Sequence, residues 1–120
     1  MATAILFIGW NRPHVGMEDR AYGWMTTEGL AYLRKNEGRY FERMEMLALT
    51  AHGGGLNGAV ILFGERAKLD ELRRTDEFEA FAMRTSGLFE GLGVTPGLNW
   101  DGIQAAMKRR PKMVDDPLSL

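Results

Sequence analysis

The chain has 120 residues, 45% of them hydrophobic, enough for one domain with a modest core and too few for two. Fifteen Lys and Arg against sixteen Asp and Glu leave a formal charge of -1, so no net field draws it to nucleic acid or to an anionic membrane. Cysteine is absent, which removes disulfides, thiolate metal sites and thiol nucleophiles, and fits a cytoplasmic location.

Residues 3–10 form a short apolar run rich in β-formers, ended by Asn11, Arg12 and Pro13. The run is too short to cross a membrane and no basic residue precedes it, so it reads as strand one and not as a signal peptide. Residues 17–37 change to a helical period, with Glu18 and Asp19 in the first turn, Arg34 and Lys35 near the end and Gly38 as the stop. Met17, Ala21, Trp24, Met25 and Tyr32 share one arc of this helix, and Tyr22, Leu30 and Leu33 widen it. Gly23 and Gly29 weaken it locally.

A second β region at 40–51, a glycine-rich turn at 52–58 and a third strand at 59–63 make a hairpin. Residues 67–83 return to helix, with Leu69, Leu72, Phe78 and Phe81 as core candidates and a break at Thr75–Asp76, where a cap restarts the turn. Residues 88–95 read as a fourth strand interrupted by glycine. A short helix capped by Asp101 follows from Trp100, then Pro111 and a polar tail expected to fray. Residues 1–98 are the protomer body, and 99–120 a C-terminal helix and tail of the same domain.

This β-α-β-β-α-β order is the split β-α-β arrangement, an α+β fold in which right-handed crossovers put both helices on one face of a four-stranded antiparallel sheet. The other face stays bare. Strand one carries Ile5 and Phe7 on one side against Leu6, Ile8 and Trp10 on the other, and strand three sets Ile61 and Phe63 opposite Val60 and Leu62. A sheet with one wet face alternates apolar with polar residues, so apolar residues on both sides require a second cover, and a twofold homodimer through the open face is expected. The alternative is that the C-terminal helix folds over that face. Glu42, Arg43 and Glu45 in strand two, and Gly91, Gly93 and Pro96 around strand four, are marks of edge strands.

This strand order, the Gly-Trp-Asn-Arg-Pro stretch at 9–13, the His-Gly-Gly-Gly-Leu-Asn-Gly turn at 52–58 and the bipartite helix at 69–81 together resemble the dimeric α/β-barrel superfamily. The likeness covers residues 3–98 and is nearest to a branch of small bacterial proteins of unknown role. It implies a ferredoxin-like protomer, two sheets facing across a dimer, and a cavity between sheet and helices for a small hydrophobic molecule. Members include cofactor-independent oxygenases, isomerases, decarboxylases and haem-degrading enzymes. The iron-ligating histidine of the last group would fall on the second helix, and this chain has none between Ala67 and Ser86.

His14 and His52 are the only histidines, and each is suited to act as a general base near neutral pH or simply to occupy a loop. With strand two at an edge, His52 and the loop before the first helix approach the same rim. Trp10, Tyr22, Trp24 and Met46 are candidates for a flat aromatic pocket, with plain core filling as the duller reading. Arg43 and Glu45, two apart on one strand, either orient a polar group or form an exposed pair worth about 0–1 kcal/mol.

The triple glycine at 53–55 precedes a strand and not a helix, so it reads as a turn and not as a phosphate loop. Lys108, Arg109 and Arg110 suit a helix C-terminus better than a nucleic-acid surface. Two isolated histidines make a poor zinc set, and no nucleophile elbow is present. The expected function is binding or transformation of a small hydrophobic or aromatic metabolite without metal or organic cofactor, oxygenase- or isomerase-like if catalytic. The alternative is a non-catalytic homodimeric interaction module.

Overall fold

The computed structural model describes residues 2–50 and 52–109. Strands β1 (Ala4–Trp10), β2 (Arg43–Ala48), β3 (Gly58–Gly64) and β4 (Gly93–Leu98) form one antiparallel sheet in the order β2-β3-β1-β4. Between β1 and β2 run α1 (Glu18–Trp24), a π-helical turn (Met25–Gly29) and α2 (Leu30–Asn36). Between β3 and β4 run α3 (Arg66–Arg73) and α4 (Asp76–Leu88), and α5 (Trp100–Lys108) follows β4. The ferredoxin-like order stands, with β2 and β4 at the edges.

Period-two alternation aims Leu6, Ile8 and Trp10 of β1, and Val60 and Leu62 of β3, at the helices. There Ala21, Met25, Leu33, Leu69, Leu72, Phe78 and Phe81 complete one buried cluster with them. A fully buried aliphatic side chain of this kind contributes about 1.5–3 kcal/mol relative to exposure. Thr75 accepts the Phe78 N–H at 3.1 Å and starts α4, as a cap should.

On the opposite face Ile5 pairs across the sheet with Phe63, and Phe7 with Ile61, giving a contiguous apolar patch whose four members remain partly exposed. α5 does not cover it. That helix packs through its small residues, with Gly102 against the Thr3 carbonyl and Leu98 and with Ala106 buried, while Trp100, Ile103 and Met107 face outward.

Three boundaries differ from expectation. Leu88 ends α4 and does not begin a strand, because Thr85 donates to the Phe81 carbonyl at 2.7 Å and both Thr85 and Leu88 are buried in the helical register. The chain turns at Gly91, whose φ of +65° suits glycine, and β4 then runs through Pro96, which an edge strand tolerates. α5 is capped by Asn99, which accepts the Gly102 N–H at 2.9 Å, and not by Asp101, which already lies inside the helix. β2 is shorter than the 40–51 expected, Ala51 itself and the tail from 110 onward, Arg110 included, lying outside the described residues.

The π-helical turn has local causes. Thr26 and Thr27 donate to the carbonyls of Tyr22 and Gly23 at 2.7 and 2.6 Å, and Gly29, lacking a Cβ, lets the Trp24 indole fold against the helix. Lys35 and Glu77, 2.5 Å apart, link α2 to α4, and this hydrogen bond holds the Glu77 carboxyl below its usual range. Tyr32 stacks on Phe81 with ring centroids 5.0 Å apart, and its buried hydroxyl makes no hydrogen bond to any described residue. Burial pushes this phenol up to about 12, opposed by the nearby Thr75 hydroxyl and reinforced by Glu77. Thr75 directs its own proton to the Leu72 carbonyl at 2.7 Å.

Because folded Tyr32 keeps its proton above the ordinary value of 10.0, the stability held by the neutral phenol is complete below about pH 10 and is lost as pH rises toward about 12. Tyr32→Phe removes an unpartnered buried hydroxyl and should leave stability equal or raised by up to about 1 kcal/mol, with the alkaline slope reduced. Urea denaturation at a series of alkaline pH values checks both. A loss above about 2 kcal/mol at neutral pH would mean that the hydroxyl has a partner.

Candidate functional site

A concavity opens where β1 and β2 end and β3 begins, at Trp10, Ala48 and Gly58. It has a volume of about 750 Å³ and lies between these strand ends, the first helix at Tyr22, Met25 and Thr26, and the loop His52–Gly55. The widened π-helical turn thus forms one wall.

Backbone pairing fixes the rim. Asn11 N–H donates to the Glu90 carbonyl and Glu90 N–H to the Arg12 carbonyl, both at 2.8 Å, and Pro13 bridges Phe89 just beyond. On the other side Asn57 N–H donates to the Trp10 carbonyl at 2.9 Å, and Leu49 N–H to the Asn57 carbonyl at 2.8 Å, which closes the neck of the glycine loop. Asn57 Nδ2 donates to Asn11 Oδ1 across the β1–β3 junction. Each amide keeps its other end uncommitted within the described residues, a carbonyl on Asn57 and an amino group on Asn11.

Trp10 is the floor, 5% exposed and tilted on Phe89 at 5.3 Å, with Tyr22 edge-on to the same Phe89 ring at 5.7 Å. The indole lies directly over Gly58, where any Cβ would overlap it. Met25 is buried beside it, while Met46 on edge strand β2 is 39% exposed. The His52 ring pairs through Nδ1 with the Thr50 carbonyl at 2.8 Å. A carbonyl only accepts, so Nδ1 carries the proton and the neutral ring presents Nε2 as an acceptor. That ring edge rests on Gly54, which has no Cβ to displace it, and Gly53 holds the turn at a φ of +80°.

Trp10, Tyr22, Met46 and His52 line one cleft, together with Asn11 and Arg12 of the loop before the first helix. Three other candidates lie elsewhere. His14 donates its N–H to the Leu88 carbonyl at 2.9 Å, and its Nε2 pairs with the Ser86 carbonyl at 3.0 Å, fastening the end of α4. Trp24 packs on Phe81 at 5.4 Å and lines a shallow outer groove with Glu28, Met83 and Arg84. Arg43 stands on the open sheet face, its guanidinium 3.7 Å from the Phe63 ring centroid and 3.1 Å from Glu45. Asn11, Arg12, Met25, Thr26 and Asn57 line the cleft without having been singled out. Polar residues flanking two paired strands at their shared end, Asn11 after β1 and Asn57 before β3, are the signal that would have found the amide pair. Among the described residues no three His, Asp or Glu side chains cluster as a metal site, and no helix is long and apolar enough to cross a membrane.

No protein-family model matches this chain, and no curated protein matches it. Solved structures do. An ethyl tert-butyl ether D (EthD) family protein from Bacillus halodurans superposes with a TM-score of 0.58 at 17% identity, over 79% of this chain and 96% of that one. HapK from Hahella chejuensis gives 0.59 at 16% identity, over 78% and 90%. A dimeric protein of unknown function and ferredoxin-like fold from Bacteroides fragilis gives 0.57 at 9% identity, over 80% and 96%. Identities this low establish a shared fold only, and that fold is ferredoxin-like.

The contact between Trp10 and Gly58 is the tightest requirement of the cleft. Gly58→Ala should displace the indole, cost about 1–3 kcal/mol and change the near-ultraviolet circular dichroism of the tryptophans while leaving the far-ultraviolet spectrum intact. An unchanged aromatic spectrum would place the indole elsewhere.

Proposed function

We propose that this protein binds a small hydrophobic or aromatic molecule in the cleft at the ends of β1, β2 and β3, needing no metal or organic cofactor. The single observation that carries this reading is the meeting of a flat, buried indole, Trp10, with a histidine whose Nε2 is set as an acceptor, His52. Tyr22, Met25 and Met46 supply further walls, and Met adapts to varied ring shapes. His52 is the group that accepts a proton from the bound molecule, and the uncommitted ends of Asn11 and Asn57 orient its polar edge. His14, Trp24 and Arg43 have no part in this site.

The working unit is a homodimer through the open sheet face. The apolar patch of Ile5, Phe7, Ile61 and Phe63, and the dimeric state of the Bacteroides fragilis protein with the same fold, support it. The same patch favours the second reading, an interaction module with no small-molecule ligand, which the binding experiment below separates from the first.

Thermal-shift screening with planar aromatic compounds should give hits that raise the melting temperature by several degrees at concentrations well above Kd. Trp10→Leu should abolish those shifts, while Met83→Ser in the outer groove should preserve them. Hits indifferent to Trp10→Leu, or no hits beside reproducible capture of one protein partner, would remove the cleft from the account. Separately, Phe7→Arg should leave the helical spectrum intact and convert a dimer to a monomer by light scattering, and a wild-type chain monomeric at all concentrations would overturn the assembly.

A further inference from the structure

The cleft has an uneven charge. Among the described residues that line it none is a carboxylate, and Arg12 brings a guanidinium to the rim. A site built for a neutral hydrocarbon gains nothing from a guanidinium at its mouth, and a cationic ligand would be repelled by it.

Arg12 is held for contact with something more. Its main chain is fixed by the pairing of its carbonyl with Glu90 N–H and by the bridge from Pro13 to Phe89, so the residue cannot swing away from the rim. Its side chain is 73% exposed, and its one hydrogen bond to a described residue runs from Nε to Glu90 Oε2 at 3.0 Å. A guanidinium has five N–H donors in a planar fork. Attachment through Nε steadies the head group and leaves the terminal pair of nitrogens, the edge that matches a carboxylate with two parallel bonds.

His52 divides the task with it. With Nδ1 committed to Thr50, its neutral ring offers a lone pair that a carboxylate oxygen would avoid, so the two rim groups select different ends of one ligand. Building on the cleft reading above, we infer that the ligand is a planar aromatic carboxylate, its acid group on the terminal nitrogens of Arg12, its ring over Trp10, and its remaining acidic O–H or C–H toward His52. Glu90 keeps the guanidinium oriented and offsets part of its charge.

The test compares 2-naphthoate with its neutral isostere 2-naphthamide by isothermal titration calorimetry on the full chain at neutral pH and low salt. Because Arg12 is largely exposed, screening limits the preference for the acid to about tenfold, shrinking as salt is added. Arg12→Gln should bring the affinities for naphthoate and naphthamide to within about threefold of one another, chiefly by weakening naphthoate, because the paired charge-assisted bonds to its acid group are lost. Equal binding of acid and amide by the wild-type protein, or an acid preference that survives Arg12→Gln, overturns the carboxylate assignment and leaves the aromatic cleft standing. Binding of neither compound, or of both with no dependence on Trp10, removes the cleft reading and this inference with it.

Discussion

Everything in this fold depends on the central pair β1 and β3 being apolar on both sides. One side is satisfied internally: Leu6, Ile8, Val60 and Leu62 vanish beneath the helices. The other leaves Ile5, Phe7, Ile61 and Phe63 in a single block flanked by polar or small residues, with Arg43 laid over one of its rings. A guanidinium on a phenyl face shields the Phe63 ring and leaves Ile5, Phe7 and Ile61 partly exposed. The charge accordingly sits on edge strand β2, edge strand β4 contains Pro96, and the middle strands carry the large aliphatic and aromatic side chains, a division that sets how the protomer holds together.

The cleft follows from the same sheet. Because β1 and β3 are neighbours and antiparallel, the end of one and the start of the other lie side by side, which brings Trp10 over Gly58 and Asn11 to Asn57. The glycine loop then adds His52 to the rim of the same cleft, and the first helix, widened at its π-helical turn, adds Tyr22 and Met25 to its lining. No long-range rearrangement is required to assemble these groups. They are gathered by strand register, which is rigid, and trimmed by glycines, which let rings approach the backbone.

Much of the architecture was legible in the residues because the periods are clean. The apolar runs within residues 4–10 and 58–64 mark the two central strands, and the Thr75 cap marks the restart in the second helical region. What was not legible is instructive. The helix running on to Leu88 breaks its own propensity at Ser86 and Gly87 and survives on tertiary burial of Thr85 and Leu88. Asp101 and Asn99 are both good caps on paper, and only the position of Thr3 and Ala2 decides for Asn99, whose Nδ2 also donates to the Ala2 carbonyl at 2.9 Å. For the site, aromatic and histidine candidates are visible by type, but His14 and His52 look equivalent until the fold sends one to fasten a helix end and the other to the cleft. The polar partners Asn11, Arg12 and Asn57 were passed over because turns are rich in such residues for purely local reasons.

The position of β1 in the middle of the sheet also bears on how the chain comes into being. Its partners are β3, which straddles the middle of the sequence, and β4, whose last residue is Leu98. During synthesis β1 leaves the ribosome before either neighbour and waits while several dozen residues are added, an interval of seconds at about 5–20 residues per second. A nascent apolar strand of that kind is a natural client for a chaperone, and the sheet closes late and almost all at once, in the manner of folds dominated by distant pairings.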